Sequence, residues 1–215
     1  MSLQQKLDDT VTYFNDNLPA EATKLLQDTL DAGIARHIAD NVLKVGAEVE
    51  EFKLPASTGE TFSFTEKLKE GPIVLMFYRG SWCPFCNLTL KAYQDVLPEI
   101  QDSGASLLTV TPEYPEKAQE TITKEGFKFD VVTDEHNQLA EKFGLIFEQN
   151  DETTQLMKNL GFDLEMYYGP DHENRLPIPA TFIIDKDGKV AFSYVNPNYR
   201  IRVEPTQVLE DLKTL

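Results

Sequence analysis

Ile73-Val74-Leu75-Met76-Phe77-Tyr78-Arg79-Gly80-Ser81-Trp82-Cys83-Pro84-Phe85-Cys86 is the stretch on which the reading turns. Its first six residues form an unbroken apolar run, the pattern of a strand buried on both faces. Cys83 and Cys86, the only two cysteines in the chain, follow as Cys-x-x-Cys. An amphipathic helix is predicted next, from Leu88 to Ile100. A dithiol between a buried strand and a helix start is a site for thiol–disulfide chemistry, because helix-start N–H groups stabilise a thiolate. The spacing lets the second sulfur reach the first and close a disulfide.

Two blander readings compete. Half of a zinc site also reads Cys-x-x-Cys, but a structural site needs four ligands. No second cysteine pair exists, and His37, His136 and His172 are scattered. No metal or other cofactor is called for. Inert core cysteines are the other alternative. Pro84 between the pair and Trp82 before it argue against that.

The remaining composition narrows the function classes. A chain of 215 residues with 41% hydrophobic residues supports one ordinary domain plus an extension. A net charge of -16 disfavours nucleic acid and anionic membrane as partners. Met1 to Thr10 shows neither a basic n-region nor an apolar h-region, so no signal peptide is predicted and a cytoplasmic location is expected. In a reducing compartment a Cys-x-x-Cys is catalytic more often than structural.

Outward from the dithiol, the patterns predict alternating strands and helices. Residues 1–44 read as a helical extension, with Leu3, Leu7, Val11 and Phe14 at helical spacing. A second segment opens at Pro19 and is weakened at Gly33. The extension reads as a dimerisation arm, as a cap over the site, or as helices packed on their own core. From Val45, a hairpin is predicted around Ser57-Thr58-Gly59-Glu60. Strands are predicted at Ser106–Val110, Phe129–Val132 and Thr181–Asp185, and at Lys189–Tyr194 after the Asp187-Gly188 turn. Helices are predicted at Pro115–Glu125, Asn137–Phe143 and Glu204–Leu215. Between Gly144 and Pro177 the pattern is irregular, apart from a helix candidate at Glu152–Leu160. The sum is an α/β sandwich with a mixed central sheet.

From about Val45 to the C-terminus the chain resembles the thioredoxin-fold superfamily, and within it the peroxiredoxin-like AhpC/TSA group. The likeness is carried by Val45-Gly46, Phe52-Lys53-Leu54, Phe77-Tyr78, Leu107 to Pro112, Thr133-Asp134, Lys142 to Leu145, and Ala180 to Asp185 with Gly188. It implies a thioredoxin-like three-layer sandwich over 45–215. Three positions depart from the peroxiredoxin pattern. Arg79 stands where those proteins have proline, Cys83 where they have threonine, and Pro179 where they have arginine. Cys86 falls on the peroxidatic position. The departures run towards thioredoxin, which has Trp-Cys-x-x-Cys opposite a cis-proline, and Ile178-Pro179 looks like that segment.

The order of attack has two readings. Electrostatics at a helix start favours Cys83 as the first nucleophile and Cys86 as the resolving thiol. The peroxiredoxin register says the reverse. Arg79 is either a charge beside the thiolate or a solvated loop residue. Trp82, Pro84 and Phe85, with Ile178 and Pro179, are candidates for lining the site. Tyr167 and Tyr168 line it or simply pack in the core.

The resemblance implies a thiol-dependent peroxidase acting on hydroperoxides. The alternative is a thioredoxin-like reductase of protein disulfides, and the third class is a non-enzymatic redox sensor. Either enzyme needs an external thiol, such as a thioredoxin- or glutaredoxin-type protein. A homodimer is the assembly the extension would allow.

Overall fold

The computed structural model describes residues 1–215. The apolar run forms β3 (Ile73–Phe77), the middle strand of a five-stranded sheet. β4 (Ser106–Thr111) and β5 (Asp130–Thr133) extend the sheet in parallel on one side. β8 (Ala180–Ile184) and β9 (Val190–Val195) add antiparallel on the other. The order is β5-β4-β3-β8-β9. A hairpin of β1 (Lys53–Pro55) and β2 (Thr61–Ser63) precedes it. This is the mixed sheet predicted from the sequence.

Side chains alternate across β3, so the apolar run feeds two cores. Ile73, Leu75 and Phe77 enter one cluster, with Phe143, Leu145, Met157 and Phe182. Val74, Met76 and Tyr78 enter the other, with Cys83, Phe85, Cys86, Leu90 and Tyr93. The short helix α3 (Phe64–Leu68), α7 (Gln138–Lys142) and α8 (Asp151–Asn159) contribute to the first face. α4 (Pro84–Asp95), α5 (Leu97–Asp102), α6 (Pro115–Glu125) and α10 (Pro205–Leu212) contribute to the second. Each β3 residue is buried, and full burial of such a side chain contributes roughly 1.5–3 kcal/mol.

The extension folds as α1 (Leu3–Asn17) and α2 (Ala20–Ala35). Leu3 and Leu7 join the same core as the two cysteines. The N-terminus of α1 is held by a distant side chain. The Glu204 carboxylate accepts the backbone N–H groups of Leu3 at 3.0 Å and Gln4 at 2.8 Å. The Gln4 side chain answers, donating to the Arg200 carbonyl and accepting from the Arg202 N–H. A carboxylate there satisfies donors that lack partners inside the helix and matches the helix dipole. α2 ends soon after Gly33. A Cβ at that glycine would lie 2.9 Å from the Phe147 ring, so glycine lets the helix approach closely.

Most predicted boundaries move by a residue or a few, and the largest shifts lie beside the dithiol and in the stretch read as irregular. The helix after the dithiol begins at Pro84 rather than Leu88, because proline at the first helical position forfeits no hydrogen bond. It breaks at Val96, before Pro98. The stretch read as irregular holds β6 (Ile146–Glu148) paired with β7 (Arg175–Pro177), and the short helix α9 (Glu165–Tyr168). No helix is long and apolar enough to cross a membrane.

Candidate active site

Cys83 is the N-cap residue of α4, and Cys86 lies one turn in. Both are free thiols, exposed by only 2% and 1%, so reactants must reach them through clefts. The loop before them is fixed from beneath. Tyr168 Oη donates to the Arg79 carbonyl and accepts from Trp82 Nε1 at 2.8 Å. Glu113, fully buried on the connection after β4, accepts from the Ser81 N–H at 2.8 Å and the Ser81 hydroxyl at 2.6 Å. Gly80 is required between them, since a Cβ there would sit 2.9 Å from the Glu113 carboxyl.

The electrostatics reverses the expectation that Cys83 is the better thiolate. Burial pushes the Cys83 thiol well above its ordinary value, and its contact with Cys86 pushes the same way. Burial is the largest single effect on Cys86 as well and pushes it up, but the opposing effects together outweigh it there. Cys86 receives a hydrogen bond from the Cys83 thiol, the charge of Arg202, and the N–H and charge of Arg79. Together they bring it down to about 6. Arg202 Nη2 stands 4.0 Å from Cys86 Sγ. The helix start favours anions in general, but these specific donors and charges converge one turn further in, on Cys86.

A second expectation also fails. The Ile178–Pro179 bond is trans, as is every other peptide bond in the chain. The segment runs from β7 straight into β8, and Ile178 N–H donates to the Leu145 carbonyl at 2.7 Å. Such an extended path has no need of a cis turn, and trans is the lower-energy form. Pro179 shares a small cleft with Cys86, Thr181 and Arg202, not with Cys83.

The other predicted residues gather on the opposite side. Arg79, Trp82, Cys83, Pro84 and Phe85 line a larger groove roofed by α1 and α2. Ile178 is instead buried in the first core. Arg79 is not a solvated loop residue. It is 6% exposed, with its guanidinium 4.0 Å from the centre of the Tyr199 ring and 5.6 Å from that of Phe147. Tyr168 packs in the core rather than lining the site, and from there clamps the loop.

Sequence reasoning missed Arg202 and Glu113. A signal for the first was present: arginines at 200 and 202 alternate with Ile201 and Val203 in a chain otherwise rich in acid. Nothing local marked Glu113, whose burial follows from where the connection after β4 passes. Burial, outweighing the Ser81 hydrogen bonds, raises its carboxyl to about 7, and negative charge on Cys86 adds to the rise.

Known proteins share this framework. "Peroxiredoxin Bcp" of Escherichia coli (strain K12) is 26% identical over 150 residues, 70% of this chain and 84% of that protein. "Peroxiredoxin Bcp" of Bacillus subtilis (strain 168) is 25% identical over 171 residues, covering 79% and 97%. Among solved structures, Peroxidoxin BcpB from Mycobacterium tuberculosis superposes with a TM-score of 0.63 at 21% identity. That match covers 80% of this chain and 98% of the other. Xanthomonas campestris Peroxiredoxin Q gives 0.61 at 22% identity, over 82% and 98%. The family model described as AhpC/TSA matches residues 45–193, from the end of the helical extension through most of β9. With that match spanning well over half of its length, this chain belongs to the AhpC/TSA family.

Proposed function

We propose that the chain is a thiol-dependent peroxidase in which Cys86 is the attacking thiolate and Cys83 the resolving thiol. Family membership supports the activity. The observation that supports the roles is the Arg202 guanidinium, 4.0 Å from Cys86 Sγ. It supplies the positive charge that peroxiredoxins draw from the position occupied here by Pro179. The Cys86 thiolate attacks a hydroperoxide oxygen, the O–O bond breaks, and Cys86 becomes a sulfenic acid. The departing oxygen takes up a proton and leaves as alcohol or water. The Cys83 thiol then displaces the sulfenic hydroxyl as water, closing the Cys83–Cys86 disulfide. An external thiol, of the thioredoxin or glutaredoxin type, returns the pair to the dithiol.

Stopped-flow oxidation by hydrogen peroxide tests the assignment. Cys83→Ser should still form one sulfenic acid per chain at near the normal rate and lose turnover. Cys86→Ser should lose the fast phase. The opposite pattern would overturn the roles. The disulfide reductase reading loses the cis-proline part of its support with the trans bond at Pro179 and keeps the dithiol.

A further inference from the structure

The two sulfurs open into different spaces. Cys86 borders a small cleft of about 230 Å³ and Cys83 a groove of about 1000 Å³, each volume including the open mouth. Of the 23 residues lining the groove, 14 are hydrophobic, so it suits an apolar body. Among them are Phe14, Leu26 and Leu30 of the helical roof. Two cations face the same space in a chain of net charge -16, Arg79 and Arg200. Arg79 Nε is buried with no hydrogen-bond partner. Arg200 is tethered by Gln27 at 2.7 Å, which aims it from beside α2.

We propose that this groove binds a small aliphatic dithiol carrying a carboxylate, which reduces the Cys83–Cys86 disulfide by attacking Cys83. The proposal rests on the dithiol cycle above and adds a port for a small reductant beside any protein reductant. The occupant is a thiol because the sulfur on the groove wall is Cys83. A hydroperoxide has to meet Cys86, across the helix turn. The incoming thiolate bonds to Cys83 Sγ, the Cys83–Cys86 bond breaks, and Cys86 leaves as thiolate. Cys86 is the better leaving group because it is the more acidic thiol. A second thiol on the reductant attacks its own mixed-disulfide sulfur and releases Cys83. The reductant is oxidised to a disulfide, and the protein gains the two electrons.

Three probes test this. Octanoate has the chain and carboxylate without the thiol. Trp82, the single tryptophan, lines the groove and reports occupancy by fluorescence. Octanoate should change its emission saturably, and Arg200→Gln should weaken binding about tenfold, the loss of one charge-assisted hydrogen bond. Protein oxidised with diamide should be reduced by dihydrolipoate with saturation, about tenfold faster than by its neutral amide at limiting concentration. Octanoate should compete. Absence of saturable octanoate binding, or equal rates for acid and amide, would overturn the proposal. Because diamide replaces peroxide, a protein that passes here but resists hydrogen peroxide would sink the peroxidase reading alone.

Discussion

Arg202 is the residue whose removal says most. Its guanidinium favours the charged form of Cys86, so Arg202→Met should raise the midpoint of the alkylation rate against pH. A charge at this range shifts a pKa by about 1–3 units. From about 6 in the native protein, the midpoint should move into the ordinary thiol range. An unchanged midpoint would show that the Cys83 and Arg79 hydrogen bonds suffice. Glu113 gives a second test with a definite sign. Its folded pKa lies above the unfolded value, at about 7, so the native state binds the extra proton. Its contribution to stability is complete below the unfolded carboxylate pKa and is lost as pH rises through about 7. Glu113→Gln keeps an acceptor for Ser81 and should flatten the decline in melting temperature between pH 5 and pH 8. A decline unchanged in this variant would assign it to another group. The dithiol was legible at this scale because Cys-x-x-Cys is local. The proposed order of the two thiols was not, because it rests on Arg202, which arrives from 116 positions away.

At the scale of elements, the strands and helices of the central sheet were readable where periodicity was strong. The run Ile73–Tyr78 emerged as the strand Ile73–Phe77, and the helix Pro115–Glu125 emerged as predicted, closed by Gly126 in the left-handed conformation. β6 and β7 were missed for a physical reason. Each is three residues long and pairs with the other across an intervening helical stretch, so neither shows an alternation long enough to read. The extension also behaves differently from a detachable arm. Leu7 is fully buried among residues of the second core. Leu7→Ala should therefore cost about 2–5 kcal/mol and lower a single unfolding transition seen by both calorimetry and Trp82 fluorescence. An early, separate transition would mean that α1 and α2 melt independently of the sheet.

For the whole molecule, chemistry and shape combine in one expectation about oxidation. The only two thiols lie one helical turn apart, enclosed between the sheet and the helical roof. Mild peroxide should consume both and leave a monomer by non-reducing electrophoresis, with a disulfide-linked dimer as the disproving result. The overall architecture was legible because strand–helix alternation survives without detail. The roofed groove was not, because it is assembled from α1, α2, the loop after β3, the stretch from β6 through α8 and the segment before α10, which meet only on folding.

The clasp between Glu204 and the start of α1 carries a practical consequence. Leu3 and Gln4 hold the same backbone that delivers Arg202 to the sulfur. Trimming the chain through Gln4 would remove that clasp, whereas Leu215 is exposed at the far end of the chain. Protein tagged at its C-terminus should keep the reactivity of the untagged chain, and preparations trimmed through Gln4 should react more slowly with peroxide. Assays that disagree between laboratories would then be reporting on cloning strategy rather than on the enzyme.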